Sequence, residues 1–451
     1  MTPDWLDLPE LRSWDSPRQV LRLPPETDVP LTDRVRSLIN TPSFHRLTRI
    51  SQLGLVATVY PGATHTRWEH SLGVYRLALQ VLRAISGLEE MKLAITADEA
   101  KALLVAALLH DIGHWPFCHP IEDLRLTGVQ PHEALAESLL EGEEFRDILQ
   151  QQWQLKPADV ASVIHPREGQ PRRLIHRLLS GPIDIDKLDY LDRDSLHAGV
   201  PYGRHFDRQR LIGALCLGES LDSLAITEKG KTAAELMVVA RYVMFSEVYW
   251  HSTVRSATAM LQRAVFELGQ MQGESNPDFG SLLASWNLLS EAEWIERLRH
   301  QAEGSAARPL VEGLFGRQRR LFKRVAQYHA HESPELHGLL SRRPYPQLVQ
   351  CSHSLSRRLT AALGRTVEPI EVLIDAPPVG LEVQFRLPVR MRDGSYRLLG
   401  DLSPLVQGLA TQQFDDIVKR VRIFVAPQWR DAVARLPLAE LLHQAIADIR
   451  I

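Results

Sequence analysis

The chain has 451 residues, with 52 basic against 55 acidic side chains, a formal charge of −3, 44% hydrophobic and 24% charged residues. That composition excludes a disordered or collagen-like chain, and the near-neutral balance excludes a globally basic protein that coats nucleic acid. The cysteines Cys118, Cys216 and Cys351 lie far apart and form no CxxC pair, which suits a reducing cytosol.

The opening MTPDWLDLPELRSWD is acidic and has no basic region followed by an apolar run, so no signal peptide is expected. Residues 1–30 carry six prolines and little periodicity and read as an extended arm. Helical patterning begins at Leu31–Asn40, with Thr32 or Asp33 as cap, and resumes over Pro42–Leu53 up to Gly54. Residues 55–66 read as a loop, Trp68–Gly87 as a helix, and Asp98–Leu109 as a buried helix ending at His110–Asp111. The longest apolar stretch, about Ala102–Leu109, falls far short of the ~20 residues that span a bilayer, so a soluble, cytoplasmic protein without a membrane partner is expected. Helical patterns continue to about residue 300, and no sustained alternation of period two appears before 365. Residues 301–309 look like a linker, and 310–343 read as helical and basic. EPIEVLIDAPP, LEVQFRLPVRMRDGSYRLL and VRIFVAP are strand-like runs broken by Pro-Pro and Asp-Gly. The expectation is a mainly α protein: an arm at 1–30, a helical domain over 31–305 and a smaller C-terminal α+β lobe over 306–451.

Chemistry concentrates early. Six of the 18 histidines, His65, His70, His110, His114, His119 and His132, fall within residues 65–132. In LLVAALLHDIGHWPFCHP an apolar helix delivers His110 and Asp111 side by side, with His114 one turn later. Imidazole and carboxylate together suit Mn, Fe, Zn, Co or Ni better than Mg or Ca alone. In THTRWEHSLGV, Arg67 and His70 stand three apart on one helix face, where a guanidinium could clamp a phosphate oxygen beside a metal-bound histidine. GPIDIDKLDYLDRDS holds five aspartates within eleven residues. As a helix from about Ile185 it puts Asp186, Tyr190 and Arg193/Asp194 on one face with Lys187 at its edge, and an inward carboxylate there would complete a His-His-Asp-Asp set.

These motifs, in this order, resemble the HD-domain metal-dependent phosphohydrolases. FHRLTRISQLGLVATVYPGATHTRWEHSLGV, LLHDIGHWPFCH, the PHE at 131–133 and IDIDKLDYLDRD are similar to the branch containing the deoxynucleoside triphosphate triphosphohydrolases. The similarity is strong over roughly residues 30–260 and looser beyond. The resemblance implies an HD-type helical bundle, a divalent transition metal (with Mg a further candidate at a substrate phosphate), a nucleotide substrate and a homo-oligomer. It implies metal ligands His70, His110, Asp111 and Asp186. It places His114 and His132 where active-site histidines act on the scissile phosphate, with His119 beside them and Glu122 or Asp123 as a partnering carboxylate. Gln52, Arg67, Lys187, Tyr190 and Asp194 match sugar- and phosphate-contacting positions.

Two departures qualify the match. In MFSEVYWHSTVRSATAML the position of a tail-gripping arginine falls on Ser246, Glu247 or Val248, leaving His251 and Arg255 as substrate-binding candidates. Removing the Glu247 charge is then expected to improve triphosphate turnover. Asn40 and Thr48 stand where guanine-selecting residues occur, whereas RQRRLFKR keeps Arg319 and Lys323 at polyanion-binding positions, a stretch equally suited to nucleic acid. The alternatives to a nucleotide triphosphohydrolase are an HD-fold phosphodiesterase, with His114, His132 and His165 holding a second metal, and a nucleotide- or nucleic-acid-binding sensor with little turnover.

Overall fold

The computed structural model describes residues 4–15, 19–166, 174–220, 222–271, 279–377, 386–409 and 418–449. The chain is mainly helical with small sheets, and it forms two compact units that interleave in sequence. The first takes Met1–Trp115, Pro131–Met244 and Gln384–Thr411, and the second takes Pro116–Gln130, Phe245–Val383 and Gln412–Ile451. A single division near residue 305 therefore does not coincide with the boundary between them.

The first unit is built on helices α1 (Arg67–Ile85), α2 (Ala97–Leu109), α3 (His132–Glu141) and α4 (Ile185–Ala198). Thr66 caps α1 by accepting from Glu69 N, and Thr96 with Glu99 forms a reciprocal capping box at α2. The α2 run Leu103–Leu109 is 0% exposed throughout. A helix apolar on every side has to lie inside, and each Leu or Val buried there contributes about 1.5–3 kcal/mol. Helix α1 packs on α2, and α4 packs on α1, so the first turn of α1 is fixed against a rigid partner and α4 is carried by α1.

The N-terminal stretch is not an extended arm over its described residues. Trp5 and Leu11 are each 1% exposed, and Val20–Leu23 pairs antiparallel with Thr27–Pro30. Short strands also precede residue 365: Leu215–Leu217 and Leu224–Thr227 join Pro388–Arg390 and Tyr396–Leu398 in one four-stranded sheet. Strands of three or four residues are too short to display a period in the sequence. Part of LEVQFRLPVRMRDGSYRLL lies outside the described residues.

In the second unit, α5 (Ser252–Met271) packs on Arg308–Phe315 and on a three-stranded antiparallel sheet ordered Lys323–Tyr328, Val421–Val425, Val372–Asp375. The segment 310–343 is not continuously helical. Helix stops at Phe315, and Leu321 and Phe322 turn inward at 7% and 8% exposure, which sends Lys323–Tyr328 into the sheet beside Val421–Val425. The predicted helix MFSEVYWHSTVRSATAML opens instead with a wider turn, Met244–Tyr249, before α5 begins.

Candidate metal centre

His70 sits in the first turn of α1, His110 caps the C-terminus of α2, and Asp186 sits in the first turn of α4. A helix C-terminus carries partial negative charge, a favourable setting for a cation. The Nε2 atoms of His70 and His110 are 3.2 Å apart, and Asp186 Oδ1 lies 3.1 Å from the first and 3.9 Å from the second. The other ring nitrogen of each histidine is already engaged. His70 Nδ1 donates to Asp189 Oδ2 at 2.9 Å, and His110 Nδ1 donates to the Ala107 carbonyl at 3.0 Å. In the neutral form each ring is thereby protonated on Nδ1, so both Nε2 atoms and the Asp186 carboxylate oxygen converge where a metal ion or a proton is held. Such a set is repulsive without a cation, and outer partners that fix the tautomer in this way are the usual support of metal-binding histidines. The residues present fit a divalent transition metal.

The carboxylate Asp111 stands at the edge of this set. Its Oδ1 is 3.6 Å from His110 Nε2 and 3.1 Å from His114 Nδ1, while Arg67 donates to its Oδ2 at 2.9 Å. The loop carrying it is pinned by Arg46, which is 3% exposed and donates to the carbonyls of His114 at 2.8 Å and Ile112 at 2.7 Å. A Cβ at Gly113 would fall 2.0 Å from the His132 carbonyl, so only glycine lets this loop lie against the start of α3. That approach brings the His114 and His132 rings to 4.0 Å between centroids, tilted by 40°.

Burial and charge set the titration of the site. Burial opposes a charged His70, but the hydrogen bonds to Asp186 and Asp189 outweigh it and push the imidazole up to about 10. Burial likewise opposes ionisation of Asp111. The surrounding His114, Arg67, His110 and His70 prevail and hold it well below the usual carboxylate range. Asp186 is held low against the cost of burial, chiefly by its hydrogen bond from His70. Lys187 is raised: the penalty of burial is outweighed by Asp184, Tyr190 and Asp186.

The remaining expected positions divide between the units. In the first, Lys187 Nζ donates to Asp184 Oδ2 at 2.6 Å, and Asp194, 2% exposed, pairs with His65 Nε2 at 2.9 Å instead of lining an open face. Tyr190 is half-buried one turn beyond Asp186, and the buried Oε1 of Gln52 has no hydrogen-bond partner among the described residues. His132 lies 3.5 Å from Glu133 through Nδ1. His165 joins no convergent group of metal-ligating atoms among the described residues. In the second unit, His119 is exposed and 3.9 Å from Glu122, and Arg319 and Lys323 are exposed. His251 Nδ1 accepts from Thr253 N at 3.2 Å, and Arg255 grips Asp375 through Nε at 3.1 Å and Nη2 at 2.5 Å. Glu247 is exposed and accepts from Ser246 Oγ at 3.0 Å. Sequence reasoning missed Asp189 and Arg46. The first was signalled by its place one turn after Asp186 and four residues before Arg193; the second, 68 residues from the carbonyl it holds, carried no local signal.

Comparison with known proteins follows this geometry closely. An HD domain model matches residues 67–194, which bracket all four expected ligands, and an HD associated region model matches residues 206–445. The uncharacterized protein YwfO of Bacillus subtilis is 34% identical over 261 residues, 57% of this chain and 58% of its own length. The uncharacterized protein MJ1154 of Methanocaldococcus jannaschii is 32% identical over 286 residues, 62% of this chain and 57% of its own. The chain thus spans little more than half the length of these curated relatives. The deoxynucleoside triphosphate triphosphohydrolase SAMHD1 of Danio rerio is 26% identical over 352 residues, 69% of this chain and 56% of its own. Among solved structures, a hypothetical protein from Aquifex aeolicus superposes with a TM-score of 0.67 at 25% identity, covering 92% of this chain and 98% of its own.

Proposed function

Since the chain belongs to the HD-domain phosphohydrolase family, we propose that it is a metal-dependent phosphohydrolase acting on nucleotides, of the (deoxy)nucleoside triphosphate triphosphohydrolase kind. The observation that carries this reading is the convergence of two tautomer-fixed Nε2 lone pairs and the Asp186 carboxylate at 3.1–3.9 Å. The likeness to SAMHD1 supports nucleotides as the substrate class.

A bound divalent metal supplies an acidified water and polarises a phosphoryl oxygen. His70, His110 and Asp186 would hold it, and Asp111, 3.6 Å from His110 Nε2, is the candidate fourth ligand. His114, with Nδ1 3.1 Å from the Asp111 carboxylate and its ring 4.0 Å from that of His132, is placed to exchange a proton with a leaving oxygen. Arg67 keeps Asp111 ionised through one nitrogen and offers its charge to phosphate oxygens. Lys187, held by Asp184, contributes positive potential at the start of α4.

The test is a screen of the Mn-loaded protein against ribo- and deoxynucleoside mono-, di- and triphosphates, with products identified by mass. Release of nucleoside and tripolyphosphate is the expected result. Absence of turnover on every nucleotide by protein that holds metal would reject the proposal.

A further inference from the structure

A second layer of charge stands behind His70. Asp189 is 4% exposed and takes the His70 Nδ1 proton on Oδ2. Arg193 grips the same carboxylate with two parallel bonds, Nε to Oδ2 and Nη2 to Oδ1, each 2.8 Å. Its remaining nitrogen, Nη1, donates to Glu69 Oε1 at 2.7 Å, and His197 Nε2 meets the same oxygen at 2.9 Å. Residues 189, 193 and 197 are four apart and form one stripe along α4, while Glu69 and His70 are neighbours in the first turn of α1. The two helices are therefore joined by one continuous line of hydrogen bonds that ends on the metal-facing imidazole.

The space for this line is provided by Gly73, one turn beyond His70. A Cβ there would lie 2.0 Å from Asp189 Oδ1 and 2.2 Å from Arg193 Nη2. The carboxylate–guanidinium pair occupies the volume that any other side chain would take.

Asp189 can hold His70 only while its own plane is held. A lone carboxylate rotates about its Cβ–Cγ bond, and an imidazole with an unheld Nδ1 divides between two tautomers, of which one offers Nε2 as a ligand. A bidentate guanidinium removes that rotation, because both oxygens are engaged in the plane of the fork.

We propose that Arg193 is a positioning residue for the metal centre: by gripping both oxygens of Asp189, and braced by Glu69, it keeps His70 in the tautomer and ring orientation that present Nε2 to a divalent cation. The inference rests on the reading of His70 as a metal ligand.

The experiment measures Zn²⁺ affinity by chelator competition, together with the imidazole ¹⁵N shifts of His70, in the full-length protein and in Arg193→Leu, Arg193→Lys and Gly73→Ala. Arg193→Leu should weaken Zn²⁺ binding about 10–100-fold and, in the metal-free state at a pH high enough to leave the imidazole neutral, give His70 a mixed-tautomer signature. Arg193→Lys should recover part of the affinity, since an ammonium engages the carboxylate at a point and not as a fork. Gly73→Ala changes no charged group, yet it should weaken binding in the same direction by displacing the pair. Affinity and a single Nδ1–H tautomer unchanged in folded Arg193→Leu would overturn the proposal. If that variant does not fold, wild-type affinity and tautomer in both Arg193→Lys and Gly73→Ala overturn it equally. Wild-type protein that binds no divalent cation would remove the metal-site reading itself, whereas wild-type binding with indifferent variants removes this inference alone.

Discussion

Each unit contains a buried cluster of charge, and the two clusters use similar side chains to opposite ends. In the second unit, Arg255 covers both oxygens of Asp375, and Arg422, 3% exposed, donates to the Trp250 carbonyl at 2.9 Å while its Nη1 lies 3.8 Å from the same carboxylate. The Arg255 donors there meet the Asp375 carboxylate, whereas Nε and Nη1 of Arg422 are buried with no hydrogen-bond partner among the described residues. In the first unit, donors are spent on the outside of the cluster, at Asp189 and the Ala107 carbonyl, and acceptors face one another within. The contrast teaches that burial of charge does not mark a site; the direction of lone pairs does. A cluster whose donors cover its carboxylate acts on stability, and one whose acceptors converge acts on binding.

The sharpest way to break that contrast is to delete an acceptor from each cluster. His110→Ala with Asp111→Ala should lower phosphohydrolase turnover by at least ~10³-fold while circular dichroism stays that of the folded chain, because α2 remains packed by Leu, Val and Ala. Asp375→Ala should do the reverse. Two guanidiniums lose their carboxylate, one of them fully buried, so stability should fall by about 3–5 kcal/mol in denaturant melts with metal content unchanged.

A smaller effect comes from pH. In the metal-free protein the His70 imidazole is pushed up to about 10 from its usual 6.5. A raised value contributes stability that is fully present below 6.5 and disappears as pH rises through about 10. Metal competes with that proton for Nε2. Metal affinity should therefore tighten with pH, by up to about tenfold per unit, with close to one proton released per ion near neutrality. Calorimetric titration in two buffers of different ionisation enthalpy counts that proton. The smallest effect is expected at Glu247. The residue is exposed, so Glu247→Gln should change melting stability by less than about 0.5 kcal/mol. Any gain in triphosphate kcat/KM from the same substitution would show that this surface meets the phosphate tail.

Legibility in the sequence followed the same division. His70, His110, Asp111 and Asp186 could be named as candidate ligands because their motifs, in order, resemble the HD-domain phosphohydrolases. The local signal beside that resemblance was the all-apolar α2, which put His110 and Asp111 at a helix end. What supports the ligands was harder to see. Arg46 acts on carbonyls more than sixty positions away, and the role of Gly73 depends on a pair brought in by α4. The partners of Lys187 and Asp194 were equally hidden: both looked like open-face residues from helical spacing, yet Asp184 and His65 engage them. The early strands escaped because three residues hold no period. The basic run RQRRLFKR looked helical by composition, and the burial of Leu321 and Phe322 made it the lead-in to a strand.

The central claim is that the three facing acceptors form a metal centre, and elemental analysis tests it most directly. Wild-type protein and the His110→Ala/Asp111→Ala variant would be purified in parallel, incubated with Mn²⁺ and freed of excess ion before measurement. The account predicts close to one tightly held ion per wild-type chain and essentially none in the variant. Equal metal content in the two, or none in either, would contradict it.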